Sequence, residues 1–161
     1  PFSLPVLIEG PYGGAPPAIA AVDTVLCIAG GIGITSILSY LHAYLDTFID
    51  GGLTTRTKSM RAARFVIYWA VREGSLVDTI LAQLPTADIL SQRGVEFTIA
   101  CSQMGDQRLD LAAVVGEEIE RMGRGRLAVV VCGPAGMADD VRSVVGRGAG
   151  KVELVVEKFG W

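Results

Sequence analysis

The stretch Val25-Leu26-Cys27-Ile28-Ala29-Gly30-Gly31-Ile32-Gly33-Ile34-Thr35 constrains this chain more than any other. An apolar run passes directly into glycines, a hydroxyl residue follows, and a helical pattern begins there. That order is a buried strand, a tight loop and a helix start. The first amides of a helix have no intrahelical acceptor and carry the positive end of its dipole. Glycines let an anion approach them, because no Cβ stands in the way. The loop from Gly30 to Thr35 therefore reads as a cradle for a nucleotide pyrophosphate. No lysine follows the glycines, which counts against a triphosphate loop. Ser36 stands where the usual dinucleotide fingerprint has its third glycine, and it is small enough for close helix–strand packing. A methyltransferase binding S-adenosylmethionine presents a similar turn, so the loop alone leaves both readings open.

The remainder of the chain repeats the same alternation. Apolar runs predict strands at about 24–29, 64–71, 95–100, 127–131 and 151–156. Helical stripes fall between them: Ile37, Leu38, Leu41, Leu45 and Phe48; Leu76, Ile80, Leu81 and Leu84, closed or interrupted by Pro85; Leu111, Val115, Ile119 and Met122; Met137, Val141, Val144 and Val145. Ser75 and Asp78 have the spacing of a capping box. Five strands and four helices in alternation predict an α/β fold, a doubly wound five-stranded parallel sheet of the Rossmann-like nucleotide-binding kind. Ligands of such sheets lie beyond the carboxyl ends of the strands, near the reversal of strand order. That selects the loops Gly30 to Thr35, Arg72 to Ser75, Ser102 to Arg108 and Cys132 to Met137.

Composition removes several function classes. A net charge of −3 disfavours a nucleic-acid surface. With 50% hydrophobic and 19% charged residues, 161 residues can build one apolar-rich globular core. The three cysteines Cys27, Cys101 and Cys132 have no metal-ligand spacing, and an odd count argues against a disulfide framework. His42 is the single histidine, so a multi-histidine metal site or a paired-histidine haem site within this chain is excluded. No stretch reaches the ~20 apolar residues that span a bilayer. The chain begins Pro1-Phe2-Ser3 without an initiator methionine, as expected of a domain excised from a longer protein. Residues 1–14 read as a connection from a missing preceding domain, 15–161 as the nucleotide-binding domain, and 50–63 within it as a mobile loop.

Four further motifs sharpen the picture when taken together. Gly10-Pro11-Tyr12-Gly13 precedes the glycine loop, Ala29 to Thr35 forms it, Cys132-Gly133-Pro134-Ala135-Gly136-Met137 follows the fourth strand, and the chain closes on Glu157-Lys158-Phe159-Gly160-Trp161. In this order, across essentially the whole chain, they resemble the nicotinamide-binding half of the ferredoxin–NADP reductase superfamily. The match is closest to its ferric reductase and NADPH oxidase branch.

That resemblance implies a function and a set of residues. NADPH would donate hydride to FAD on a neighbouring flavin-binding domain. Electrons would then pass singly to haems in a transmembrane domain and end on ferric iron or oxygen. The parent protein would be membrane-bound, with this domain on the cytosolic side. Neither the flavin domain nor the haem domain is in this sequence, so the piece is incomplete for turnover. Gly30, Gly31, Ile32, Gly33 and Thr35 would hold the pyrophosphate. Cys132 resembles the family cysteine beside the nicotinamide, with Gly133, Pro134 and Met137 shaping the turn behind it. Trp161 is similar to the terminal aromatic that covers the flavin, Phe159 is its alternative, and Glu157 to an acidic residue near it.

The choice between NADPH and NADH turns on the loop after the third strand. A 2′-phosphate calls for positive charge and hydroxyl or amide donors, whereas a bare ribose diol is often held by an acid. Ser102, Gln103 and Arg108 point to NADPH; Asp106 in the same loop points the other way. Arg72 is a candidate for ribose or pyrophosphate contact. Three readings stand beside this one: a soluble flavin reductase lobe, a methyltransferase, and a non-catalytic docking domain. The docking reading would offer a regulatory partner the basic residues of the 50–64 stretch, Arg56 to Arg64.

Overall fold

Apolar runs become strands, and here five of them form one parallel sheet in the order β3-β2-β1-β4-β5, with the central β2, β1 and β4 mostly buried and the edge strands β3 and β5 only in part. The computed structural model describes residue 19 and residues 22–47, 62–146 and 152–157. The strands are β1 (Thr24–Gly30), β2 (Arg64–Val71), β3 (Val95–Cys101), β4 (Leu127–Cys132) and β5 (Val152–Glu157). The helices are α1 (Ile34–Asp46), α2 (Gly74–Leu81), α3 (Ala87–Gln92), α4 (Leu111–Met122) and α5 (Ala135–Val145). Every residue of β4 is buried, as expected of a strand with a helix layer on each side.

The two-residue strand period divides the core. Val25, Cys27 and Ala29 of β1 join Phe65, Ile67 and Trp69 of β2 and Val130 and Cys132 of β4 beneath α1, α2 and α3. Leu26 and Ile28 join Val66, Val129 and Val131 beneath α4 and α5. The sheet is thus doubly wound, and the order reverses at β1, which pairs β2 on one side and β4 on the other.

Several local readings change. The helix expected after the glycine loop begins at Ile34, behind a single 3-10 turn over Gly31–Gly33, so Thr35 lies inside the helix. There are five helices among the described residues, because the chain beyond Pro85 forms α3 instead of ending at a loop. Ser75 and Asp78 form no capping box: α2 starts at Gly74 behind Glu73, whose side chain makes no cap bond. Leu81 is 43% exposed, because α2 turns Val77 and Ile80 to the core instead. At the end of the stretch expected to be mobile, Ala62 is buried and the Ala63 amide donates to the Asp23 carbonyl. Arg64, the last residue of the basic stretch, is the first residue of β2 and pairs with the carboxylates of Glu96 and Glu118. Residues 48–61, the Gly10-Pro11-Tyr12-Gly13 motif, Phe159 and Trp161 lie outside the described residues.

The amino ends of β2 and β3 carry that ion network. Arg64 Nε donates to Glu96 at 2.5 Å and its Nη1 to Glu118 at 2.7 Å. Glu118, on α4, is 3% exposed and also accepts from Arg121 at 3.0 Å. Hydrogen bonds to Glu96 first, and to Glu118 second, push the Arg64 guanidinium further toward its charged form. The same bond holds the Glu96 carboxyl below its usual range.

Candidate functional site

The opposite, carboxyl, end of the sheet is left open by small residues. Gly30, Ala70 and Ala100 lie side by side across β1, β2 and β3. All three line a cleft of about 750 Å3. That is within the range of about 300–1,000 Å3 in which small molecules and cofactors are bound. Its walls are Gly31 and Ile32, the loop residues Ser102 and Arg108, and Gly133, Pro134 and Met137 from the β4–α5 turn.

Backbone proximity holds the two glycine-bearing turns together. A Cβ on Gly133 would stand 3.1 Å from the Gly30 nitrogen and 2.7 Å from the Met137 sulfur. A Cβ on Gly30 would stand 2.8 Å from Pro134 Cδ. Gly33 has a different task. A Cβ there would be 2.2 Å from the Cys132 carbonyl oxygen, so its hydrogen is what lets α1 sit down on β4. Gly31 takes φ +54°, a left-handed conformation that glycine adopts without penalty.

Trp69 fixes this turn, and the sequence reading did not single it out. Its indole N–H donates to the Gly31 carbonyl at 2.8 Å, while its ring is fully buried edge-on against Phe97. The available signal was chemical: a tryptophan inside an apolar strand still needs an acceptor for its N–H. Thr35 is exposed on α1, and its hydroxyl donates to the Ile32 carbonyl at 2.9 Å. The hydroxyl oxygen keeps lone pairs to offer a ligand.

The loop after β3 is tied down on both sides. The Asp106 carboxylate accepts from the Cys101 amide at 2.8 Å. The acid that argued for a ribose diol is thereby turned back onto the end of its own strand. Gln103 bridges to the neighbouring loop: its amide donates to the Arg72 carbonyl at 3.2 Å and its side chain accepts from the Gly74 amide at 3.1 Å. Arg72 and Gln103 line a second, polar cleft with Glu73 and Ser75. Ser102 borders both clefts. Of the predicted residues, Gly30, Gly31, Ile32, Ser102, Arg108, Gly133, Pro134 and Met137 thus share the main cleft. Arg72 and Gln103 stand next to it.

Cys132 and Glu157 lie one and two strands beyond the loop. Ala29, Cys132 and Glu157 pair in one row across β1, β4 and β5. Cys132 is 1% exposed, and burial pushes its thiol up; a hydrogen bond with Ser36 pulls down, and Glu157 adds a smaller push upward. Its thiol is thereby held in the neutral form, and Cys132 is not among the residues that line the main cleft. The Tyr40 hydroxyl donates to Glu157 Oε1 from α1. Among the described residues no group of histidines, cysteines and acids could hold a metal, and no helix is long and apolar enough to cross a membrane.

Residues 22–107 match the family model of the ferric reductase NAD binding domain. A probable cell surface ferric reductase of Aspergillus oryzae is 36% identical over 77 residues, which is 48% of this chain and 9% of that protein. The fold is similar to that of a ferredoxin–NADP+ reductase from Plasmodium falciparum solved with 2′P-AMP, with a TM-score of 0.52 and 12% identity. The likeness covers 84% of this chain and 52% of that one. A mutant of that reductase, also in complex with 2′P-AMP, gives a TM-score of 0.50 at 10% identity, over 84% of this chain and 53% of its own. This chain therefore spans about half of the reductases it resembles in fold, and its matched segment a small part of the curated relative.

Proposed function

The chain belongs to the ferric reductase NAD-binding domain family, and from that premise we propose that it is the NADPH-binding lobe of a longer, membrane-bound flavin- and haem-dependent reductase. The observation that carries this reading is the row Gly30, Ala70 and Ala100, which opens a cleft between the glycine turn and the Ser102–Arg108 loop. A dinucleotide needs such a length of edge: pyrophosphate at one turn, adenosine along the neighbouring strand ends. Membership in this family favours a nicotinamide dinucleotide over S-adenosylmethionine.

In this proposal the pyrophosphate lies against the first turn of α1, where Gly30 and Gly31 allow close approach and Trp69 holds the turn through the Gly31 carbonyl. The 2′-phosphate meets the Ser102 hydroxyl and the Arg108 guanidinium, both of which border the cleft. Asp106 also borders the cleft, one of its carboxylate oxygens accepting from the Cys101 amide, and Arg108 supplies the opposite charge in the same loop. The 2′-phosphate nucleotide bound by the Plasmodium reductase supports the same choice. The nicotinamide extends past Gly133 toward Cys132, whose neutral thiol lies buried at the base of the turn. Met137 and Pro134 close the apolar side and exclude water.

Bound on the neighbouring domain, FAD would supply at N5 the acceptor for the hydride that leaves nicotinamide C4 with its electron pair. Trp161, or Phe159 in its place, would be the aromatic that covers that flavin. Haem in a transmembrane domain would supply the single-electron relay to ferric iron or oxygen, and the curated relative's name supports ferric iron. This lobe lies on the cytosolic side, where NADPH is supplied.

Titration of the protein with NADP+ and NAD+ tests the reading. NADP+ is expected to bind at least about tenfold more tightly, as one charge-assisted pair would give, and Arg108→Ala to remove that preference while leaving NAD+ binding unchanged. Equal affinities in the wild type would overturn the 2′-phosphate assignment.

A further inference from the structure

Two tyrosines, Tyr40 and Tyr44, stand in the core stripe of α1 among Ile34, Ile37, Leu41 and Leu45. Tyr40 is 2% exposed, yet its hydroxyl reaches the end of β5 and donates to Glu157. Tyr44, a turn further on, sends its hydroxyl to the Arg93 carbonyl, at the other end of the sheet. The two tyrosines therefore tie α1 to opposite edges, and only Tyr40 ties it to the site. Burial raises the Tyr40 pKa further than any other influence on it, so the hydroxyl remains a donor throughout the working range. Glu157 pairs in register with Cys132, which pairs with Ala29 immediately before the glycine turn.

We propose that Tyr40 is a positioning residue for hydride transfer: by donating to Glu157 it fixes that carboxylate, and with it the end of β5, beside Cys132. The inference rests on the reading of this cleft as a nicotinamide site. The nicotinamide ring gains positive charge as its C4–H bond yields an electron pair. A carboxylate held in place beforehand favours that change without rearranging at the moment of reaction. Because Tyr40 rises from the helix whose first turn forms the pyrophosphate cradle, cradle and carboxylate are set by one rigid element.

The test uses the full-length flavoprotein with its flavin bound. Tyr40→Phe keeps the ring and removes only the hydroxyl. The expected result is flavin reduction by saturating NADPH slowed about tenfold in a single turnover, as for a misplaced catalytic group. NADP+ affinity should stay within about twofold, and amide exchange over residues 152–157 should rise. Glu157→Gln should slow reduction similarly, and the double variant should be no slower than Glu157→Gln alone. A wild-type reduction rate in Tyr40→Phe overturns the proposal, whatever the exchange shows. So do losses that multiply in the double variant. If the wild-type protein neither binds NADP+ nor lets NADPH reduce its flavin, the nicotinamide reading itself fails and takes this inference with it. A working wild type with an unaltered Tyr40→Phe removes this inference alone.

Discussion

The two ends of the sheet are built by opposite means. At the amino end, charge and backbone close the structure: Glu118 accepts from Arg64 and Arg121, and the Asp23 carboxylate accepts from the Arg126 amide at 2.8 Å. At the carboxyl end, the contacts are made where side chains are missing, at Gly30, Gly33 and Gly133. The first end spends polar groups on one another. The second holds its glycine turns by close approach and the indole hydrogen bond, and its β3 loop by Asp106 and Gln103. Stability and binding are thereby assigned to different edges of one sheet.

Substitutions at each end should separate the two. The largest effect is expected from Gly33→Ala, whose Cβ would be forced to 2.2 Å from a backbone oxygen that cannot turn away. A loss of about 3 kcal/mol or more is expected, read as a fall in the urea midpoint. A variant of wild-type stability would mean that α1 can lift off β4. Gly33→Ala thus breaks the binding edge by unfolding it.

Glu118→Ala comes next. It leaves Arg64 and Arg121 without their shared buried carboxylate, but both arginines reach solvent and Arg64 keeps Glu96. The cost should fall below the ~3–5 kcal/mol of a fully buried pair, at about 2 kcal/mol. NADP+ affinity should not change, because the network lies at the far end of the sheet. A parallel loss of affinity would refute the division of labour.

Trp69→Phe should show the smallest loss of stability and a selective loss of binding. It keeps an aromatic ring against Phe97 and removes the donor to Gly31. About 1–2 kcal/mol of stability is expected to go, the cost of one unpaired acceptor and a smaller ring. NADP+ binding should weaken about tenfold as the turn loosens. Equal binding by the variant would show that the glycine turn holds its shape unaided.

Much of this was readable before the structure. The strand bounds follow from apolar runs, which end where a central strand leaves the two helix layers: β2 runs over the predicted 64–71, and the other four lie within one residue of their predicted ends. The loops that meet at the cleft follow from strand order alone, since parallel connections bring every strand's carboxyl end to one edge. What was not readable depends on pairs distant in sequence. Trp69 is 38 residues from the carbonyl it binds, and Tyr40 is 117 from Glu157. Glu118 is one of several charges in the α4 sequence, and only the fold sets Arg64 of β2 opposite it. The helix beyond Pro85 was missed because six residues are too few to show a helical period.

The sequence by itself determined the class of the fold, the glycine turn that opens α1 and the family to which the motifs point. These depend on local pattern: periodicity, the absence of a Cβ, and the order of motifs along the chain. The tertiary structure alone decided which glycine faces the cleft and which packs a helix, and that Asp106 is turned onto its own backbone. It also tied Glu157 to α1. Those outcomes rest on distances between strands and helices, and residue order fixes such distances only once the sheet has assembled.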